Sequence, residues 1–164
     1  VRRLVAETRR LAYALRPSVL DDAGLVPALR WCAEAYLDPK GVQVTFDAIH
    51  PEMRFPEPVE VALFRVGQEA MSNIAKHARA SHAWINLEAE GGWVTLVGRD
   101  DGTGFNVGQM MGADGPPQAH GLGLAGMKER VDILGGHLHV SSLPGEGTTV
   151  RAYLPVGRWE EERR

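Results

Sequence analysis

"MMGADGPPQAHGLGLAG", residues 110–126, decides what kind of fold this chain can adopt. Its last part sets Gly121, Gly123 and Gly126 in the pattern G-x-G-x-x-G, the turn by which a doubly wound parallel sheet approaches a dinucleotide. That reading needs a strand running into the first glycine, a helix opening at the third and an acidic residue about 20 positions further on. A helical pattern follows and Glu146 stands at the right separation, but the strand is missing. Gly112, Gly115, Pro116 and Pro117 precede the motif, and adjacent prolines remove the donors that a buried strand must supply. The doubly wound reading therefore fails. The glycines keep a physical meaning, because a glycine-rich helix start lets backbone N–H groups approach a phosphate whose charge the helix dipole favours. The alternative is a hinge ahead of an ordinary helix start.

Working outward from this stretch, residues 106–119 form a Gly-, Met- and Pro-rich loop, long for a compact domain and typical of a lid or a disordered segment. Upstream, "HAWINLEAE" and "WVTLVGR" alternate as strands and are joined by Gly91 and Gly92 as a hairpin. Downstream, a helix over 121–134, a strand "HLHVSSL", a turn "PGEG" and a strand "TTVRAYLP" follow. The longest helical pattern runs from Pro58 to His77, preceded by a strand "VQVTFDAI" and a helix from about Asp22 with acidic capping residues, stopped near "DPKG". In residues 2–15, Leu4, Thr8, Leu11 and Leu15 form a narrow stripe suited to a partner helix. This order predicts an α+β sandwich rather than regular βαβ winding.

With 164 residues, 44% hydrophobic and 24% charged, the chain has the size of one domain with its own core. A net charge of -3 with scattered basic residues gives no footprint for nucleic acid. Cys32 is the sole cysteine, which excludes an internal disulfide and a cysteine-rich metal site and suits a reducing, cytoplasmic setting. No apolar run approaches a membrane span, and "VRRLVAETRR" lacks a signal-peptide core. The absence of an initial Met suggests a piece of a longer protein, whose other parts include candidate sensor or membrane domains.

Within "EVALFRVGQEAMSNIAKHARA", Glu69, Asn73 and His77 recur every four residues. At about 100° per residue they fall near 0°, 40° and 80°, among Val66, Ala70, Leu63 and Ile74, while Gln68, Arg79, Ser72 and Arg65 cluster on the opposite arc. A polar row thus lies along the core side. A carboxylate there requires a partner, a cation or water, and a carboxylate with an amide oxygen one turn away suits Mg²⁺. A satisfied, hydrogen-bonded helix edge is the plain alternative, and His77 alone reads as structural. "LVGRDDGTGF" then leads a strand into Asp100, Gly102 and Gly104. A carboxylate at a strand end can accept from an exocyclic amine while the glycines admit a ligand to the backbone. Alone, it reads equally as an acidic turn.

Three such elements in this order resemble the ATP-binding domain of the GHKL superfamily: the N box "EAMSNIAKHA", the G1 box "DDGTGF", the G2 box "HGLGLAGM" and a following "GEGTTV". "LRPSVLDDAGLVPAL" and "GLGLAGMKERV" resemble the sensor histidine kinases of the NarL/DesK-like type, and the likeness runs over about residues 10–156. It implies a two-layer sandwich of the Bergerat type, with a mixed sheet covered on one face by helices. It also implies that residues 1–15 end a dimerisation helix, that 16–157 form the catalytic domain and that 158–164 are a charged tail.

By the same resemblance, Asp100 binds the adenine amino group, Gly102 and Gly104 shape the pocket and Thr148 supports its adenine end. Asn73 holds Mg²⁺, Glu69 positions metal-bound water or assists catalysis, Gly121 and Gly123 meet the phosphates, and Lys76 and His120 are further phosphate candidates. The implied activity is transfer of the ATP γ-phosphate to a histidine. The implied partners are the protein's own dimerisation domain and a response regulator, with a homodimeric full-length kinase. The implied acceptor is a histidine followed by an acidic residue. His50, His77, His82, His120, His137 and His139 are followed instead by Pro51, Ala78, Ala83, Gly121, Leu138 and Val140. His137 and His139 share a strand face, but no third ligand accompanies them. Two alternatives remain: an anti-sigma-factor-like serine kinase of the same superfamily, and a module that senses ATP without transferring it.

Overall fold

The computed structural model describes residues 18–48, 52–110 and 119–157. The expected dimerisation-helix end, the charged tail and most of the expected lid lie outside them. The described elements are α1 (Ser18–Ala23), α2 (Leu25–Tyr36), β1 (Gln43–Ala48), α3 (Glu57–Asn73), β2 (His82–Glu90), β3 (Trp93–Asp100), α4 (Val107–Met110), α5 (Ala119–Ile133), β4 (His137–Ser142) and β5 (Thr148–Pro155).

The strands form one sheet in the order β1-β2-β3-β5-β4. β1 pairs parallel to β2, with α3 as the crossover between them, and the other pairings are antiparallel. Alternation of side chains sends Ala83, Ile85, Leu87, Val94, Leu96, Val150, Ala152 and Leu154 to one face, where all are buried under the helices. The other face carries Trp84, Arg99, Glu88 and Arg151 to solvent. This is the mixed sheet, covered on one face, that the sequence predicts.

Helix α3 is the middle of the domain. Leu63, Val66, Ala70 and Ile74, placed on its core arc by the sequence, are all buried. Phe64 and Met71 are buried as well, because α2 packs over that flank. Gly67 marks the closest approach, since a Cβ there would run into Leu29 of α2 and lie 3.4 Å from Leu96 of β3. Ser72, expected on the solvated arc, is buried, and nothing in the structure explains why a hydroxyl stands there. Past Asn73 the helix widens into a π turn, Ile74–Ala78, and ends with Arg79 in the left-handed region at φ 51°. Such widened turns accommodate one extra residue and gather at functional sites.

The helix expected from Asp22 is two helices. Gly24 separates them at φ 90°, so α2 starts on a glycine with no acidic side chain capping it. Arg54 fills the space beside Gly24, its Cδ 3.0 Å from where a Cβ would stand. Arg54 also donates to Glu60 through Nε (3.0 Å) and Nη2 (3.2 Å), and Nη2 reaches the Asp21 carbonyl at 3.4 Å. Glu60 is buried and also accepts the Phe55 N–H at 2.9 Å.

Removing one member of such a pair strands the other charge, whereas replacing both with apolar groups does not. Arg54→Met should therefore lower the melting temperature by several degrees, and adding Glu60→Leu should recover most of the loss. Thermal unfolding followed by circular dichroism tests this; an Arg54→Met variant melting with the parent would contradict it.

Candidate nucleotide site

At the C-terminal end of β3, Asp100 is 3% exposed at the floor of a cavity of about 420 Å³. Gly98 and Val150 of the sheet line it beside Asp100, together with Ala70 and Asn73 of α3, Ile74 of the π turn and Leu124 of α5. Lys76 and His77 of the π turn and Arg79, which caps it, stand at the exposed rim. The cavity is thus apolar in its depth with one carboxylate, and cationic at its mouth.

Burial pushes the Asp100 carboxyl above the ordinary carboxylate range, and the charge of Asp101 adds to the rise. Backbone N–H groups of Gly102, at 2.8 Å, and Thr148 oppose it. The neighbouring Asp101 shifts the other way. It is exposed and held below the ordinary range, first by the His82 N–H and then by Ser81, whose N–H and hydroxyl it accepts at 2.8 and 3.1 Å. Asp101 fastens the start of β2 to the end of β3, while Asp100 is left facing the cavity. Environment separates two adjacent identical side chains into an exposed strut and a buried group on the cavity wall.

The glycines of "DDGTGF" act differently from the sequence expectation. Gly102 is not on the cavity wall, and a Cβ there would strike the Ala78 carbonyl. The adjacent Thr103 N–H donates to that same carbonyl at 2.7 Å. Gly104 does line the cavity and stands at φ 57° against the carbonyls of Leu143 and Gly147. Gly145 N–H closes the other side by donating to Thr103 at 2.7 Å. These glycines let backbone approach backbone, wedging the loop between the π turn and the β4–β5 turn.

Of the other candidates, Asn73, Lys76 and Thr148 line the cavity. Glu69 does not. Half-buried, it abuts Gly123 of α5, where a Cβ would collide with its carboxylate, so Glu69 and Gly123 meet between the two helices. His120 and Gly121 fall in the first turn of α5, and their surroundings lie outside the described residues. Among the described residues no cluster of three or more His, Cys, Asp or Glu could hold a metal by itself. Asn73 and Glu69, one turn apart, offer hard oxygens of the kind that hold Mg²⁺ through one or two protein ligands, with phosphates and water completing the shell. Arg79 and Phe105 also line the cavity. The sequence signals Phe105 only as part of its motif, and Arg79, read there as solvated, reaches the rim through a left-handed backbone that no pattern announces.

The model of the family described as histidine kinase-, DNA gyrase B-, and HSP90-like ATPase matches residues 59–158. The signal transduction histidine-protein kinase/phosphatase DegS of Brevibacillus brevis is 41% identical over 156 residues, which are 95% of this chain and 39% of that protein. The oxygen sensor histidine kinase NreB of Staphylococcus carnosus is 32% identical over 154 residues, 94% of this chain and 43% of that protein. The chain therefore spans about two fifths of these relatives. Among solved structures, the histidine kinase domain of the Erythrobacter litoralis EL346 blue-light activated histidine kinase superposes with a TM-score of 0.65 at 24% identity, covering 80% of this chain and 61% of that one. With the fold, the buried aspartate and the motif order in agreement, this chain belongs to the histidine kinase-, DNA gyrase B- and HSP90-like ATPase family, as an ATP-binding catalytic domain of the sensor histidine kinase type.

Proposed function

We propose that the chain binds Mg-ATP in this cavity and, within a longer kinase, donates the γ-phosphoryl group to a histidine outside the chain. The observation that carries the reading is the buried Asp100 at the floor of a cavity with a cationic mouth. A carboxylate there accepts from the adenine amine, while Lys76 and the N-terminus of α5, with Gly121, Gly123 and His120, meet the phosphates. Asn73 would hold Mg²⁺, which would neutralise charge on the phosphates, and Glu69, one turn away beside α5, would position metal-bound water or assist catalysis. Thr148 supports the base beside Asp100. The protein positions the groups and offsets charge as the bond from γ-phosphorus to the bridging oxygen breaks, the imidazole nitrogen bonds to phosphorus and ADP leaves.

The whole kinase would act as a homodimer, with its own dimerisation helices as phosphoryl acceptor and a response regulator as the next partner. The kinship with DegS and NreB supports this reading over a serine kinase or an inert sensor. Among the described residues no helix is long and apolar enough to cross a membrane, which is compatible with a cytoplasmic catalytic domain.

None of the histidines here is followed by an acidic residue, so the chain alone should incorporate no stable phosphate from γ-labelled ATP. Adding a separate dimerisation hairpin with the acceptor histidine should yield acid-labile phosphohistidine on the hairpin. Label on this chain's own histidines would overturn the assignment of donor and acceptor.

A further inference from the structure

Behind the Asp100 end of the cavity, one hydroxyl outside its wall bonds to another on it. Ser142, at the end of β4, is half-buried and lies directly across from Thr148 of β5. Its Oγ accepts the Phe105 N–H at 2.9 Å, donates to the Gly147 carbonyl at 2.8 Å and lies 3.0 Å from the Thr148 Oγ1. An amide N–H can only donate and a carbonyl can only accept, so the single proton of Ser142 is committed to Gly147. The remaining contact needs a proton, and Thr148 must supply it.

We propose that Ser142 is a positioning residue that fixes the Thr148 hydroxyl with its proton turned away from the cavity, so that Thr148 presents only acceptor lone pairs to the base. The proposal rests on the ATP reading of the cavity. Thr148 is paired in register with Asp100, whose carboxylate also only accepts. Two acceptors side by side favour a base edge, or a bridging water, that donates. At position 6 a 6-amino purine donates, whereas a 6-oxo purine accepts there and carries its donor on N1 instead. Discrimination between them thus depends on a serine that touches neither.

Calorimetry of the full chain with Mg-ADP and Mg-IDP tests this. In Ser142→Ala the Thr148 hydroxyl regains its rotation and can turn its proton to an oxo group. Affinity for ADP should fall about tenfold, as Phe105 and Gly147 lose their partner. The preference for ADP over IDP should narrow about fivefold, while Ser142→Thr, which keeps a hydroxyl, should hold the parental preference. In a Thr148→Val background, Ser142→Ala should leave the preference unchanged.

A merely structural role would weaken both nucleotides alike. An unchanged preference in Ser142→Ala, or an equal narrowing in the Thr148→Val background, would overturn the proposal while ADP binding by the parent keeps the ATP reading. Should Ser142→Ala not fold, Ser142→Cys, a weak donor and acceptor, takes its place with the same expected narrowing. If the parent binds neither nucleotide, the ATP reading fails and the proposal falls with it.

Discussion

Asp100→Asn should weaken binding of a non-hydrolysable ATP analogue about a hundredfold, the scale of one buried charge-assisted hydrogen bond together with the misfit of an amide NH₂ facing an amine. Calorimetry with and without Mg²⁺ reads it directly. The side chain is buried at the cavity floor, so its hydrogen bond to a ligand is made away from bulk solvent. The variant should nevertheless fold as well as the parent. Burial raises the Asp100 carboxyl in the folded state, so its contribution to stability is complete below the ordinary carboxylate value and is lost as pH rises through the raised one. Asn carries no charge and escapes that loss, so near neutrality Asp100→Asn should unfold at no lower urea concentration than the parent. The same shift predicts that the parent loses affinity on acidification above the ordinary carboxylate range, whereas the variant shows no such step. Parental affinity in the variant would remove Asp100 from the site.

Gly104→Ala should act on the fold first and on the nucleotide second. Gly104 stands at φ 57°, and the carbonyls of Leu143 and Gly147 occupy the place where a Cβ would go. Both obstacles are backbone, so no side chain can swing aside, and the loop must separate from the β4–β5 turn. About 3 kcal/mol of stability should be lost, read from urea denaturation, with nucleotide binding lost in parallel. Gly145→Ala is the control. Its φ of 86° carries the same backbone cost, but nothing lies within 4 Å of the added Cβ, so about 1 kcal/mol is expected. Equal losses in the two variants would show that conformation alone, and not the close packing of the loop, requires Gly104.

Element order was legible because most elements carry a clean period. The core arc of α3 through Leu63, Val66, Ala70 and Ile74, the hairpin at Gly91 and Gly92 and the bounds of β5 all follow from spacing. Asp100 is singled out by the order of the three motifs, because alone a carboxylate between a strand and two glycines reads equally as an acidic turn. What escaped depends on partners distant in sequence or on backbone states without a composition signal. The split at Gly24 depends on Arg54, thirty residues later, and the burial of Glu60 depends on the same guanidinium. A first-turn glutamate otherwise reads as a solvated end. The π turn adds one residue to a helix, a change too small for a period to resolve, yet it sets where Lys76 and His77 point. Glu69 and Asn73 look equivalent one turn apart, but only Asn73 lines the cavity, because α5 occupies the space beside Glu69.

The guanidinium of Arg54 has a mechanical consequence. It ties the Asp21 carbonyl near the end of α1 to Glu60 in the first turn of α3, while Asn73 stands at that helix's other end. Thirteen residues separate Glu60 from Asn73, about 20 Å of rigid rod at the α-helical rise. The tether and the cavity therefore sit at opposite ends of one helix, so a shift of α1 would reach the cavity through α3.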